Sequence, residues 1–240
     1  MQRPNETWNN TIELKAVIFD MDNTLFDFVE AQMNACQAVV DRLGVGTREE
    51  LFQYFVNGEH GFEGYGNISD FMHDNDVFDE ETFLNCCRAY DKIKLESIEP
   101  YPGVKETLSA LKKKELKLAI VTDADRENAF ARLEKSGLLE YFDVIITADI
   151  SGKMKPEPDS IRLALDRLGV KPNQAILAGD SLGRDIAAGK KLGIFTAHAV
   201  YGDRNSSSDG ASGADIVLDD INHFLDLIQA SSVVGSTESP

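Results

Sequence analysis

The sequence has few cysteines and no long apolar run. Its three cysteines, Cys36, Cys86 and Cys87, cannot form a disulfide framework, and the adjacent pair lacks the spacing of metal ligands. We expect all three to be small buried hydrophobic side chains in a reducing compartment. No apolar stretch reaches the length of a membrane span, and residues 1–15 lack the apolar core of a signal peptide. These absences predict a cytoplasmic protein that does not enter a membrane.

Basic residues are also scarce. The 240 residues include 24 Lys and Arg against 41 Asp and Glu, which gives a net charge of −17 at pH 7. Nucleic acid duplexes and acidic membranes are bound largely through basic side chains, so this balance argues against both partners. The content of 42% hydrophobic and 27% charged residues is typical of a folded protein. We expect a protein that acts on a small molecule, as a monomer or a homodimer.

What the sequence does contain is a series of short, continuous apolar runs, typical of strands buried on both faces. Such strands are predicted at 16–19, 118–122, 144–147, 175–177, 194–200 and 215–218. Helical spacing lies between them at 104–113, 127–135, 160–168 and 185–192, and Gly137, Gly169 and Gly193 follow where helix C-termini favour glycine. The alternation predicts an α/β fold, with a parallel sheet and helices on both faces.

Residues 27–99 interrupt this alternation. Their apolar positions have helical spacing and suggest no strand, so we predict a helical insertion directly after the first strand. The glycine-rich stretch 57–66 is predicted to be a loop within this insertion. Its glycines do not form a dinucleotide-binding motif, because no strand precedes them and their spacing is wrong. Segments 202–213 and 231–240 are predicted to be a surface loop and a frayed tail. Residues 1–26 and 100–240 then form the core domain.

Polar side chains follow four of the predicted strands, at the edge where an open parallel sheet binds its ligands. In chain order the four segments are Asp20-Met21-Asp22-Asn23-Thr24, Thr122-Asp123, Lys155-Pro156 and Gly179-Asp180-(x)₄-Asp185. Clustered carboxylates repel one another, and a divalent cation or a proton relieves the repulsion. Oxygen ligands without a nearby His or Cys favour Mg²⁺ over Zn²⁺. A lysine and a hydroxyl beside that metal suit a dianionic phosphoryl group.

Each of these residues also has an ordinary structural explanation. Asp20 and Asp180 could cap helices, Thr122 could be a plain strand-end hydroxyl, and Lys155 could be a solvated loop charge. A D-x-D sequence also opens Ca²⁺-binding loops, although the glycine that such loops carry at their sixth position is missing here. The joint occurrence of all four segments, in this order at successive strand ends, favours a catalytic site.

These motifs make the sequence similar to the haloacid dehalogenase-like (HAD) superfamily of phosphohydrolases. The resemblance covers residues 14–26 and 100–222 and rests on the four segments quoted above. It implies a core with a Rossmann-like, doubly wound parallel sheet. It further implies that 27–99 form a smaller, mostly helical cap domain, which sets substrate specificity.

The resemblance also implies which residues perform the chemistry. Asp20 is the nucleophile, which attacks phosphorus and forms an aspartyl-phosphate. Asp22 is the general acid for the leaving group and then the base for the hydrolytic water. The implied Mg²⁺ ligands are the carboxylates of Asp20 and Asp180 and the backbone carbonyl of Asp22.

Further residues are implied to bind the phosphoryl group or to support the metal. Thr122, Asp123 and Lys155 contact the phosphoryl group. Asp185 holds a metal-bound water or orients Lys155. Lys153 is a rival for the lysine role, but the family pattern places that lysine directly before proline, which favours Lys155.

Asp22 and the residues after it narrow the predicted reaction. A 2-haloacid dehalogenase releases halide, which needs no proton, and members of that branch lack an acid at this position. A sugar phosphomutase could keep all four motifs and stays an alternative, whereas clustered acids argue against a non-enzymatic scaffold. The sequence Asn23-Thr24-Leu25-Phe26-Asp27 resembles a branch with nucleotidases and small sugar- or glycolate-phosphate phosphatases. We therefore predict a Mg²⁺-dependent phosphatase for a small phosphomonoester such as phosphoglycolate, a sugar phosphate or a nucleoside monophosphate.

Overall fold

The computed structural model describes residues 13–204 and 213–230. The predicted tail and most of the predicted loop at 202–213 lie outside these residues. The chain divides into two compact units: one holds the residues up to Phe26 and from Pro100 onward, and the other is Asp27–Glu99. Within the described residues, no helix combines the length and the apolar character that a membrane span requires.

The larger unit is built on one parallel sheet, which has six strands in the described part of the chain. They are β1 (Ala16–Phe19), β2 (Lys117–Val121), β3 (Val144–Ile146), β4 (Ala175–Gly179), β5 (Phe195–Ala199) and β6 (Ile216–Leu218). The strand order is β3-β2-β1-β4-β5-β6, and every neighbouring pair is parallel. The chain thus winds outward from β1 to one edge and then from β4 to the other. The prediction of a doubly wound, Rossmann-like α/β sheet is confirmed.

Helices connect these strands and also make up the inserted unit. In chain order they are α1 (Phe28–Leu43), α2 (Arg48–Asn57), α3 (Gly66–Asp74), α4 (Glu80–Glu96), α5 (Val104–Lys113), α6 (Arg126–Ser136), α7 (Ala148–Ser151), α8 (Asp159–Leu168), α9 (Ala187–Leu192) and α10 (His223–Ala230). As predicted, α6, α8 and α9 end at glycines with φ between 66° and 68°. That left-handed conformation carries no steric cost for glycine.

Helices cover both faces of the sheet. On one face, Ile18 of β1 belongs to a buried cluster with Ile161 and Leu165 of α8. On the other face, the ring of Phe19 packs edge-on against Phe224 of α10, with 5.5 Å between ring centroids. Successive residues of a strand point to opposite faces, so an all-apolar β1 is what burial on both sides requires.

The inserted unit, Asp27–Glu99, is helical, with α1 to α4 packed around an apolar core. Cys36, Cys86 and Cys87 are buried in this core, as predicted, and none of them forms a disulfide. The rings of Phe55 and Tyr90 stack there with centroids 5.0 Å apart. The predicted glycine-rich loop connects α2 to α3. A role of this unit as a cap over an active site stays a prediction.

One predicted helix begins differently in the structure. The segment expected to be helical over 185–192 starts with a π-helical turn, Leu182–Ile186, and α9 follows it. The Ser181 carbonyl accepts hydrogen bonds from the N–H groups of Asp185 and Ile186. The Ser181 N–H in turn donates to the Asp185 carboxylate, at 3.0 Å. These bonds widen the first turn, and such turns occur often at functional sites.

Candidate active site

The strand order places two predicted acids side by side. Asp20 follows β1 and Asp180 follows β4, and these two strands are neighbours at the point where the winding of the sheet reverses. The Asp20 N–H donates to the carbonyl of Ala178 at 2.8 Å, which ties the end of β1 to β4. Ligands of open α/β sheets bind outside the carboxyl ends of the strands at this kind of reversal. The fold therefore places the predicted site at the sheet edge where such sites occur.

The loop after β1 is a tight turn that depends on Asn23. This residue has φ of 60°, a left-handed conformation that asparagine adopts more readily than most residues. Its N–H donates to the carbonyl of Phe26, while the Met21 carbonyl accepts a hydrogen bond from Leu25 N–H at 2.9 Å. The turn returns the chain so that Thr24 is fully buried and its hydroxyl lies 3.4 Å from Asp180 Oδ1.

Three carboxylates lie together and are buried. Asp20, Asp180 and Asp185 are at most 4% exposed, and one oxygen from each lies within 4.8 Å of the others. Burial raises the pKa of Asp180 to about 9, with further contributions from the negative charges of Asp20 and Asp185. The pKa of Asp185 is raised as well, first by burial and then by Asp20. These three carboxylates together therefore need positive charge from their surroundings.

Lys155 supplies part of the missing positive charge. Its side chain is 1% exposed, and its Nζ lies 2.5 Å from Asp20 Oδ1 and 2.7 Å from Asp185 Oδ1. The Nζ also donates to the carbonyl of Val121 at 3.1 Å. Burial favours the neutral amine, but the carboxylates of Asp185 and Asp20 outweigh it and hold the pKa of Lys155 above its ordinary value. Lys155 is thus a fixed ammonium group within the acidic cluster.

The donor set fits a magnesium ion. One lysine, in contact with Asp20 and Asp185, does not balance three clustered carboxylates, and the excess of negative charge is one that a divalent cation would neutralise. All three candidate ligands are carboxylate oxygens, which Mg²⁺ prefers. The raised pKa of Asp180 is a sign of the same imbalance, because a buried carboxyl without a counter-charge retains its proton.

Lys153, the rival of Lys155, does not join the cluster. Its side chain is 57% exposed and its Nζ lies 3.5 Å from the carboxylate of Asp159. The structure therefore brings the lysine before Pro156, and not Lys153, to the acids.

The second strand contributes residues that order the loops. Thr122 is buried, and its hydroxyl accepts a hydrogen bond from Ala124 N–H at 3.1 Å. The Asp123 carboxylate accepts from the Lys155 N–H at 3.0 Å and lies 3.5 Å from the guanidinium of Arg184. Because a carboxylate repels a phosphoryl dianion, a phosphate contact by Asp123 could come only from its backbone N–H. The predicted phosphate contacts of Thr122 and Asp123 stay predictions.

Asp22 has a partner that the sequence did not indicate. Its Oδ2 accepts a hydrogen bond from Nη1 of Arg132 at 2.7 Å. The Arg132 side chain is 2% exposed and that of Asp22 is 20% exposed. One sequence signal could have found it: Arg132 lies on the buried stripe of α6 with Ala129, Leu133 and Ser136. A cation on such a stripe requires a buried anion.

Two residues near β5 also support the site. The buried His198 has Nε2 within 3.0 Å of the Asp180 carbonyl and 2.9 Å of the Asp203 carboxylate. Both neighbours are acceptors, so this nitrogen carries the proton. The Tyr201 hydroxyl donates to the carbonyl of Thr24 at 2.8 Å. Neither residue belongs to a motif, and only the pairing of β5 with β4 brings them to the site.

The sequence profile of a family described as haloacid dehalogenase-like hydrolase matches residues 17–199. The chain belongs to this family. The predicted family and the prediction of an enzyme are therefore confirmed. The match spans the strand ends that carry Asp20, Asp22, Thr122, Lys155 and the Asp180–Asp185 pair, although it assigns no role to any of them.

Several known proteins resemble the chain over most of its length. The pyrophosphatase PpaX of Halalkalibacterium halodurans is 30% identical over 223 residues, which cover 90% of this chain and 98% of that protein. A phosphorylated carbohydrates phosphatase of Thermotoga maritima is 32% identical over 200 residues, or 82% and 88% of the two chains. The crystal structure of a HAD phosphatase from Thermococcus onnurineus aligns with a TM-score of 0.64 at 26% identity, covering 90% of this chain and 98% of that one.

Proposed function

We propose that the protein is a Mg²⁺-dependent phosphatase that hydrolyses a small phosphomonoester through an aspartyl-phosphate on Asp20. The coarser part of this statement, that the protein is a phosphoric monoester hydrolase, is confirmed by the family match together with the phosphatase names of relatives. Phosphoglycolate, sugar phosphates and nucleoside monophosphates are the proposed substrate class. We propose that it acts in the cytoplasm, as a monomer or a homodimer.

The observation that supports this proposal most strongly is the buried cluster of Asp20, Asp180, Asp185 and Lys155. Burying three carboxylates together costs stability, because each loses hydration and repels the others. A purely structural site would gain more from apolar residues of similar size. The cluster is explained if its charges are matched by a bound metal and a phosphoryl group during the reaction.

In the proposed first step, an Asp20 carboxylate oxygen attacks phosphorus and forms a new P–O bond. The bond to the leaving group breaks, and the departing alkoxide takes a proton from Asp22. In the second step, water attacks the aspartyl-phosphate while Asp22 accepts a proton from it. Inorganic phosphate leaves, and the carboxylate of Asp20 is restored.

The remaining residues hold charge in place during both steps. Lys155 and Thr122 are proposed to bind the non-bridging phosphoryl oxygens. Asp20, Asp180 and the carbonyl of Asp22 are proposed to hold Mg²⁺, with Asp185 fixing the direction of Lys155 through their 2.7 Å contact. When bound, Mg²⁺ would neutralise negative charge on the phosphoryl group.

A panel of phosphate esters, assayed with and without EDTA, tests the proposal. We expect phosphate release that EDTA abolishes and Mg²⁺ restores. Asp20→Asn should give no turnover, and acid quenching of the wild-type reaction should trap a phosphorylated protein. Full activity in EDTA would contradict the metal assignment, and turnover by Asp20→Asn would contradict the nucleophile.

The same assay separates the alternative reactions. A sugar phosphomutase would return an isomerised sugar phosphate with little free phosphate, and a 2-haloacid dehalogenase would release halide. Asp22 favours hydrolysis over the second alternative, since halide departure needs no acid. Measuring phosphate, isomer and halide in parallel decides among the three reactions.

A further inference from the structure

Arg132 is a buried arginine that belongs to none of the four sequence motifs. It lies in the second turn of α6, and its guanidinium donates a 2.7 Å hydrogen bond to the carboxylate of Asp22. The two residues are far apart in sequence, so the contact forms only when α6 packs beside the loop after β1. The side chain of Arg132 is 2% exposed, which makes this pair different from an ordinary surface ion pair.

Stability alone does not account for this arginine. Taking a guanidinium out of water costs several kcal/mol, and a buried ion pair often recovers no more than that. An apolar side chain of similar length at position 132 would match Ala129 and Leu133 on the same stripe of α6. The Asp22 side chain is 20% exposed and so is not fully removed from water. The pair is therefore best explained by what it does to Asp22.

The helix that carries Arg132 is well anchored. The carboxylate of Asp125 caps the N-terminus of α6 by accepting from Asn128 N–H at 2.9 Å. The Arg126 N–H donates to Asp149 at 3.0 Å, and the helix ends at the left-handed Gly137. A guanidinium on such a helix is a fixed point against which a loop side chain can be oriented.

We propose, on the basis of the proposed function, that Arg132 is a positioning residue that holds the Asp22 carboxyl group in line with the leaving group. An aspartate on a loop has several accessible rotamers, and proton transfer requires one of them. By binding Oδ2, Arg132 fixes the direction in which the Asp22 side chain points. The proton transfer itself is carried out by Asp22.

Leaving-group dependence tests this role. The two probes are β-glycerol phosphate, whose alkoxide needs a proton to leave, and p-nitrophenyl phosphate, whose phenolate does not. Values of kcat/KM report only the steps up to leaving-group departure, so hydrolysis of the aspartyl-phosphate does not enter. Asp22→Asn sets the benchmark, with an expected loss of about 10²-fold or more on the alkyl ester and a much smaller loss on the aryl ester.

Arg132→Met should reproduce this pattern in weaker form. We expect kcat/KM to fall about 10-fold or more on β-glycerol phosphate and at most about 3-fold on p-nitrophenyl phosphate, through kcat more than KM. Arg132→Lys should recover part of the loss. In the Asp22→Asn background, Arg132→Met should change neither value further. Arg126→Met is the matched control, because this arginine begins the same helix and its side chain packs on Phe130 at the surface; both values should stay unchanged.

Three results would each overturn the role of Arg132. They are equal losses of kcat/KM on both esters, a rise in the ratio of kcat/KM for the alkyl ester to that for the aryl ester, and a loss that persists in the Asp22→Asn background. If Arg132→Met does not fold, Arg132→Lys and Arg132→Gln carry the same comparison. A wild-type protein that hydrolyses neither ester would instead refute the proposed function. If the wild type is active, and Asp22→Asn loses more kcat/KM on the alkyl ester than on the aryl ester while Arg132→Met does not, only the role of Arg132 is refuted.

Discussion

The two units bury polar side chains in different ways. The larger unit buries a cluster of acids around Lys155, and these residues come from separate strand ends. The inserted unit buries one cation, Lys94, whose partners are Glu63 at 2.9 Å and Asp91 at 3.6 Å, the latter on the same helix. Its apolar cluster consists of aromatic, aliphatic, methionine and cysteine side chains, and its other buried polar residues, Gln32 and Asn67, carry no charge. The inserted unit shows that this chain can pack a core with little buried charge, so packing alone does not require the charge that the larger unit buries.

The largest expected difference in turnover is between variants of the two buried lysines, Lys155 and Lys94. Lys155→Met should lower turnover of p-nitrophenyl phosphate by about 10²-fold or more, because it removes the ammonium that binds Asp20 and is proposed to bind the phosphoryl group. Lys94→Met should leave this turnover within about 3-fold while changing the melting temperature. Steady-state rates and thermal melts of both variants make the comparison. Comparable rate losses would show that buried charge in the two units is not functionally different.

A pair of glycines tests how tightly the acid cluster is packed. A Cβ on Gly179 would come within 2.5 Å of Asp185 Cβ and Oδ2, whereas a Cβ on Gly183 meets nothing within 4 Å. Gly179→Ala should destabilise the fold by about 1–3 kcal/mol through overpacking and should displace Asp185 from Lys155, with a large loss of activity. Gly183→Ala should be close to wild type in both respects. Chemical denaturation and rate measurements check this, and a harmless Gly179→Ala would contradict the packing argument.

Removing the inserted unit tests whether the two units are independent. Phe26 and Pro100 form an antiparallel bridge, and Tyr101 N–H donates to the Leu25 carbonyl at 2.9 Å, so the two ends of the larger unit already meet. A chain in which a short Gly-Ser linker replaces 27–99 should fold. We expect it to hydrolyse p-nitrophenyl phosphate and to lose about tenfold in its discrimination among phosphate esters. Circular dichroism and an ester panel measure both effects, and an unchanged substrate profile would contradict the cap prediction.

The prediction that concerns stability alone is its pH dependence. In metal-free protein the pKa of Asp180 is raised to about 9, so the folded state holds a proton that the unfolded chain loses near pH 4. This stabilisation is complete below pH 4 and is lost as pH rises towards 9. Asp185, whose pKa is also raised, acts in the same direction, whereas Lys155 titrates above this window.

Melting temperatures of EDTA-treated protein should therefore fall between pH 5 and pH 9. Mg²⁺ should oppose this fall, because it replaces the proton, and it should stabilise by about 2.7 kcal/mol at one hundred times its Kd. Asp180→Asn should reduce both the fall in melting temperature with pH and the stabilisation by Mg²⁺. Equal stabilisation by Mg²⁺ at pH 5 and pH 9 would contradict the coupling between proton and metal.

Much of the larger unit could be predicted because its signals are local. The apolar run 16–19 and the helical spacing at 104–113 match β1 and α5 residue for residue. Asp20, Lys155, Asp180 and Asp185 could be placed together because parallel strands end at one edge of a sheet. The contact of Arg132 with Asp22 could not be predicted in this way, because it depends on how α6 is rotated against the loop after β1. The π-helical turn was also missed, since it arises from hydrogen bonds between Ser181 and Asp185.

The sequence was less informative about the inserted unit. Helical periodicity predicted its class, and clustered glycines predicted the loop between α2 and α3, but no motif ties any of its residues to a reaction. Gln32 illustrates the difficulty: it is fully buried and donates to the Tyr90 hydroxyl at 2.8 Å, yet it occupies a helical position that periodicity alone treats as apolar. Buried polar side chains of this kind are identified from the packing in the structure and not from the sequence pattern.

The position of β1 in the sheet determines when the protein can fold during its synthesis. This strand is made before the other described strands, but its two neighbours are Lys117–Val121 and Ala175–Gly179. The helices of Asp27–Glu99 pack on one another and are complete before either neighbour has been made. Contacts between distant parts of a chain form late and slowly. We expect the inserted unit to be folded while the fully apolar β1 still waits for partners, a period in which the nascent chain is most exposed to aggregation and to chaperones.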